Sequence, residues 1–495
     1  MYIVALGLSV LCLLGVVAYF WRSPAFSVFH PLTFYCAFHG IIFVIRPIFA
    51  YIYEYKGLYY AYDFTPSDAD KLTVILASNL GFLVFSFFSL RAGNSAMQFK
   101  RSAANMEERK RLSKVFVWPL AICGPMAAYS MLKTYSATNS VYAGLTLDQA
   151  TGMVINTTSN GYIADMQLMA VTLSALLIWL SRFRPIAFIP LIFFVIARAG
   201  TGGRGPFVAA LVAAGLFYLY EKRMRYPAWQ IVLAGMLVVT LFTTVGADRG
   251  AAVRQAVGLE APDTLSRSND DNEGPLESMD FGNLEFFEYL VYVIPQRSGT
   301  YGYFLDSFQV FTEPVPRVLW KGKPVGEPFR RVWLFEYGYP IGMTRSLPGQ
   351  GWYSLGWTGV IIWCALWGHV LGKIYNRFVR GPQTTLQTAS YLVFLPMLIV
   401  AYRDGTLITL VKQAGVYLTP IAVWWLAAKY SGVPKSLDSA GRMLKRQHES
   451  GAMTTPYEPS AHTANQAAGE GYRLPPAVRR RRAALNAARS VNPAE

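Results

Sequence analysis

The chain has 495 residues, 53% of them hydrophobic and 15% aromatic, with a mean hydropathy of +0.29. Only 15% are charged, against about a quarter in soluble domains, which excludes an ordinary soluble fold. The formal net charge of +16 therefore reads as basic loops beside a membrane and not as a nucleic-acid surface.

The apolar residues come in runs of about 18 to 22, the length that crosses a bilayer core as a helix. A barrel would show roughly ten-residue alternating segments instead. The predicted fold is an all-α polytopic membrane protein. About eleven spans are predicted, near 2–20, 27–45, 72–90, 115–133, 162–180, 186–199, 206–220, 228–246, 352–371, 385–402 and 406–428. The first, MYIVALGLSVLCLLGVVAYF, lacks a basic n-region and a small-residue cleavage site, so it is read as a retained span. Cys12, Cys36, Cys123 and Cys364 all fall inside apolar runs and are read as core residues.

The loop from Arg91 to Lys114 carries Arg91, Lys100, Arg101, Arg109, Lys110, Arg111 and Lys114, which predicts a cytoplasmic location. Alternate loops agree: SRFR at 181–184, EKRMR at 221–225, and the stretch with Lys373, Arg377 and Arg380. The N-terminus is thus expected outside and the C-terminal tail inside. This gives four regions: a transmembrane bundle over 1–246, a large outer loop over 247–351, further spans over 352–430, and a basic disordered tail over 431–495 containing RRRR at Arg479–Arg482. The outer loop opens with the acidic stretch SRSNDDNEGPLESMD. It continues as LEFFEYLVYVIPQRSGTYGYFLDSFQVF, where amphipathic helices at the membrane surface are expected.

Three basic clusters fall on the expected outer side. ARAGTGGRGPF (197–207) satisfies G-x-G-x-x-G, but both flanks are membrane helices, so a dinucleotide loop is rejected. Glycines let backbone approach a ligand, and the following helix start suits an anion. Arg198 and Arg204 flank the break; each reads either as a headgroup anchor or as a phosphate fork. Arg403 and Asp404 lie in LIVAYRDGTLITL, where charge at membrane depth marks a functional candidate or a structural salt bridge. FTEPVPRVLWKGKPVGEPFRR places Glu313, Arg317, Lys321, Lys323, Glu327, Arg330 and Arg331 on a proline-stiffened segment with Trp320, Phe329 and Trp333 interleaved. His30, His39 and His369 lie within spans and read as core, so no metal or other cofactor is expected.

GRGPF (Gly203–Phe207), PVPRVLWKGKP (Pro314–Pro324), PGQGWYSLGWTGV (Pro348–Val360) and YRDG (Tyr402–Gly405) together resemble the O-antigen polymerase, or oligosaccharide repeat unit polymerase, family of bacterial inner-membrane proteins. The resemblance implies a helical glycosyltransferase of the GT-C type, working without metal on undecaprenyl-pyrophosphate-linked oligosaccharides in the inner membrane, with a chain-length regulator as partner. It implies that Arg204 and Arg403 bind the donor pyrophosphate, that Arg317 and Lys323 hold phosphate or sugar, and that Arg198 is a further pyrophosphate- or sugar-binding candidate. Glu313, with Asp404 second, would be the general base. The alternatives are an O-antigen ligase, a lipid-linked oligosaccharide flippase, or an assembly subunit. The loop holds no histidine of the kind a ligase would use, since none lies between His39 and His369.

Overall fold

The computed structural model describes residues 1–100, 103–136, 145–147, 154–156, 163, 165–199, 205–227, 229, 276–277, 281–315, 319–320, 322–324, 326–338 and 343–432. The expected span at 228–246 and the tail beyond 432 lie outside these residues, apart from Trp229.

Helix α1 (Tyr2–Arg22) is apolar apart from Ser9 and the terminal Arg22, and Ile3, Val4, Leu8, Leu11 and Leu14 are exposed, as hydrocarbon-facing side chains would be. The second span is composite. Helix α2 (Pro31–His39) passes through a π-helical turn (Gly40–Ile45) into α3 (Arg46–Ile52). Pro47 has no N–H to give the preceding turn, which accounts for the irregular ladder there. A short helix α4 (Gly57–Ala61) leads to α5 (Asp68–Gly93), which a Ser67–Asp70 capping box starts.

Helices α6 (Ala103–Val115) and α7 (Val117–Ser136) follow, with a 49° bend between Met106–Val115 and Val117–Lys133. An antiparallel ribbon, β1 (Leu145–Leu147) with β2 (Val154–Asn156), pairs Thr146 with Ile155 in an otherwise helical set of described elements. Then come α8 (Met169–Leu180), α9 (Ile189–Ala199), α10 (Gly205–Glu221), α11 (Asn283–Val293) and α12 (Gln309–Thr312). The C-terminal helices are α13 (Leu347–Arg380), α14 (Thr385–Asp404) and α15 (Leu407–Tyr430).

Among the described residues six helices are long and apolar enough to cross a membrane, or seven with the bent pair, and three more apolar helices are shorter. The sequence expectation of eleven therefore exceeds the long helices seen. The expected spans at 186–199 and 206–220 carry shorter apolar helices, and the one at 228–246 lies outside the described residues apart from Trp229.

The packing centre is α5 against α13. A Cβ on Gly368 would lie 2.5 Å from the Phe85 carbonyl oxygen, and one on Gly372 would lie 2.4 Å from that of Ser89. Only glycine lets the two backbones approach so closely. Around this axis Tyr35, Phe85 and Tyr402 form a buried aromatic cluster. Some polar groups inside the bundle pair across helices: Asn79 Nδ2 donates to Ser9 Oγ at 2.7 Å, and Tyr391 Oη donates to the Phe29 carbonyl at 2.7 Å.

The segments expected inside meet at one end. Lys100 donates to the carbonyls of Arg380 and Gly381, and Arg109 pairs with Glu221 at 2.8 Å. The other end gathers the loop after α3, the start of α5, helix α11 and the α14–α15 turn. Helix α11 does not lie at a surface with one face exposed, as its sequence suggested. Ten of its eleven residues are buried, because its acidic side chains have partners inside the bundle.

Candidate active site

Two pairs of acidic residues and two arginines organise the end of the bundle that carries α11. Spacing of three along α11 puts Glu285 and Glu288 on one face. Arg46, delivered by the π turn, meets Glu285 with a fork: Nε to Oε2 at 2.9 Å and Nη2 to Oε1 at 2.9 Å. Both side chains are almost wholly buried, at 1% and 3% exposure. Glu288 is also buried, and Tyr59 Oη donates to its Oε2 at 2.6 Å. Burial, helped by the nearby Glu285 charge, pushes the Glu288 carboxyl up to about 8. Burial and the Glu288 carboxylate together hold the Tyr59 phenol well above its ordinary range.

The second group surrounds Arg345, just before α13. Its Nη1 donates to Asp306 Oδ2 at 2.9 Å and to Gln350 Oε1 at 3.0 Å, and its Nη2 pairs with Glu327. Its guanidinium carbon stands 3.8 Å from the centre of the Tyr353 ring. Gln350 Nε2 donates to Asp306 Oδ2 at 2.6 Å, and Tyr353 Oη donates to Glu327 Oε2 at 3.1 Å. Burial pushes the Asp306 carboxyl up, against the pull of Arg345. For Arg345 burial alone would lower the pKa, but Glu327 raises it, so the guanidinium stays charged. Asp306, Glu327 and Gln350 already engage the one guanidinium, which leaves it little capacity for a further anion. The group therefore suits hydroxyls better than a pyrophosphate.

Ser346, with φ 62° and ψ 164°, makes the turn into α13; its N–H donates to the Arg403 carbonyl at 2.9 Å. Asn283 Nδ2 donates to the same carbonyl at 2.7 Å. Arg403 thus sits where α11, α13 and α14 meet. Gly405 ends α14 with φ 75°, and a Cβ there would collide with the Ser346 carbonyl. Asp404 turns toward the start of α15, where its Oδ2 accepts from the Thr406 hydroxyl at 2.6 Å and from the Thr409 hydroxyl.

The remaining sequence candidates divide. Lys323 Nζ lies 3.6 Å from Glu313 Oε2 and donates to the Glu313 carbonyl at 3.0 Å, so the structure brings these two together. Helix α12, which leads into Glu313, packs on α15. Arg198 lies in α9, with its side chain outside the described residues; Arg204 and Arg317 fall outside them altogether. Sequence reasoning missed Arg345, Asp306, Tyr59 and Glu288. The signals were present: RSLPGQGW leads into a span, and the E-x-x-E in LEFFEYLVYV is poor for a span because its acids are partnered. Asp68-Ala69-Asp70 is a D-x-D triplet, but Asp70 is committed to the Ser67 cap and accepts from Gln296 Nε2 at 2.6 Å.

A family model described as O-antigen polysaccharide polymerase Wzy matches residues 1–260, just over half of the 495. The chain belongs to that family. The Wzy match covers α1 to α10, and with them Arg46, Tyr59 and the GRGPF stretch. Helices α11 to α15, with Glu288, Arg345 and Arg403, lie beyond the matched part. No curated protein and no solved structure matches the chain.

Proposed function

We propose that this Wzy-family chain extends a surface glycan by joining lipid-linked oligosaccharide repeat units. The growing glycan leaves undecaprenyl pyrophosphate and is transferred to a hydroxyl of the next lipid-linked unit at the outer face of the inner membrane, without metal. The observation that carries this reading is the concentration of buried ionisable groups at one end of a membrane bundle. Such groups are costly in a bilayer and mark substrate sites.

In this reading the α11 end faces the periplasm and the tail the cytoplasm. Arg204 and Arg403, with Arg198 behind the glycine break, take the donor pyrophosphate and stabilise the charge that develops on it as it leaves. Arg317 and Lys323 hold phosphate or sugar on the outer loop. Of the candidate bases, Glu313 already faces Lys323, and Asp404 already takes two threonine hydroxyls. Their contacts favour positioning roles, Glu313 for the loop and Asp404 for the α14–α15 turn.

The test is a surface-glycan ladder from a deletion strain complemented with wild type or with Arg204→Ala. Single capped units in both the deletion and the variant, with a ladder restored by wild type, support polymerisation. Accumulated lipid-linked polymer with no surface glycan would overturn it in favour of a ligase. Single units trapped on the cytoplasmic side would overturn it in favour of a flippase.

A further inference from the structure

A cavity of about 1070 Å³ opens at the α11 end, between the start of α1, the α3–α5 connection and α11. Its volume is at the upper limit of small-molecule sites, roughly 300–1,000 Å³, so it has room for several sugar rings. Five tyrosines line it: Tyr2, Tyr51, Tyr55, Tyr59 and Tyr60. Each offers a flat apolar face and a hydroxyl, a combination that matches the CH faces and hydroxyls of a saccharide. Its wall carries Glu54, Asp68 and Glu288 against Lys56 and Lys71, with no excess of positive charge. Such a lining gives little attraction to a pyrophosphate and suits a polyhydroxylated, weakly charged ligand.

Glu288 closes the cavity from behind. It is fully buried, its Oε2 takes the Tyr59 hydroxyl, and its Oε1 has no hydrogen-bond partner. A buried carboxyl with an unsatisfied oxygen beside a cavity calls for an explanation beyond stability. Tyr59 is only half-buried and stands between Glu288 and the open space, with Lys71 Nζ 5.2 Å from its ring centre. The groups that face Glu288 are Arg46 from α3, Tyr59 from α4, Lys71 from α5, Tyr2 from α1 and Glu285 from its own helix.

We infer that this cavity is the subsite for the acceptor saccharide and that Tyr59 and Glu288 relay the proton released there. The inference rests on the polymerase reading above. The acceptor hydroxyl oxygen bonds the donor's anomeric carbon and gives its proton to Tyr59 Oη. Tyr59's own proton passes to Glu288 Oε2. The bond from the anomeric carbon to the pyrophosphate oxygen breaks, and its electron pair leaves with the lipid pyrophosphate. Tyr59 would touch the substrate; Glu288 acts through it. Because the phenol is held neutral, the two proton shifts occur together and no phenolate accumulates. Glu288 must start ionised, and a carboxyl that titrates near 8 is a stronger base than an ordinary one, close to the pH where a base works best.

The test uses the purified full chain in liposomes with lipid-linked repeat units isolated from the deletion strain. Tyr59→Phe and Glu288→Gln should each lower kcat by about a hundredfold with little change in KM. The rise of wild-type kcat between pH 6 and 8 should flatten in both, and Glu288→Asp should restore part of the rate and its pH dependence. Occupancy is read separately. With Tyr60→Cys, the lipid-free repeat-unit oligosaccharide at ten times its Kd should slow maleimide labelling at position 60 about tenfold. Wild-type kcat with an unchanged pH profile in a variant present at normal level overturns the relay. Labelling that the oligosaccharide does not slow, or that phosphatidylglycerol vesicles slow equally, overturns the saccharide subsite. If Glu288→Gln does not accumulate, Tyr59→Phe decides. Wild-type protein that fails to join the units defeats the polymerase reading, while the labelling result still stands for or against sugar binding.

Discussion

Arg46 and Glu285, 239 residues apart in the chain, meet in a two-point ion pair at 2.9 Å with both side chains almost fully buried. Removing one partner strands a charge inside the bundle, at a cost of about 3–5 kcal/mol. Glu285→Gln should therefore lower the thermal unfolding midpoint of the detergent-purified protein sharply. Arg46→Met combined with Glu285→Met should recover much of the loss. If Glu285→Gln melts with wild type, the pair does not hold α11 in place.

The Arg345 fork gives a second expectation. Arg345→Lys keeps the charge but cannot reach Asp306 and Glu327 at once, and it should cost about 1.5–3 kcal/mol. Arg345→Met leaves two carboxylates facing each other and should be worse. Adding Asp306→Asn and Glu327→Gln to it should restore part of the stability. A melting series over these variants checks the order; Lys equal to wild type would show that the fork is not used.

Gly372→Val tests the α5–α13 contact. Its Cβ would press on the Ser89 carbonyl, so we expect a loss of about 3 kcal/mol or more and poor membrane accumulation. Gly215→Ala, where a Cβ meets nothing within 4 Å, is the matched control and should accumulate normally.

If Arg204 grips pyrophosphate with a planar fork, Arg204→Ala should reduce polymerisation about a hundredfold. Arg204→Lys should restore little, because an ammonium cannot bind two oxygens in that geometry. A full-length ladder from Arg204→Lys ends the bidentate assignment.

Orientation is checked by labelling intact cells with a membrane-impermeant maleimide. A cysteine at Leu265 should react from outside, and one at Ser181 only after permeabilisation. The reverse pattern inverts the whole topology.

Much of this architecture was legible because it rests on local rules. Apolar run length gives α1, α5, α14 and α15 directly, and Ser67 with Asp70 marks a helix start by spacing alone. The YRDG turn could be read from Gly405, which the left-handed end of α14 requires. What depends on distant partners was hidden. Glu285 and Glu288 look like faults in an apolar stretch until Arg46 and Tyr59 arrive from the other half of the chain. The sequence likewise does not reveal that Lys323 engages Glu313 and that two threonines engage Asp404.

The π turn at Gly40–Ile45, where the Arg46 N–H reaches back to the Ile41 carbonyl, holds one residue more than a regular helix would. An α-helix advances about 100° per residue. Had the same residues run as a regular helix, all that follows would be rotated by about a quarter turn. Arg46 would then be carried off Glu285. The irregularity thus works as a phase shifter: it sets the azimuth of the one buried arginine of α3, independently of how deep the helix sits.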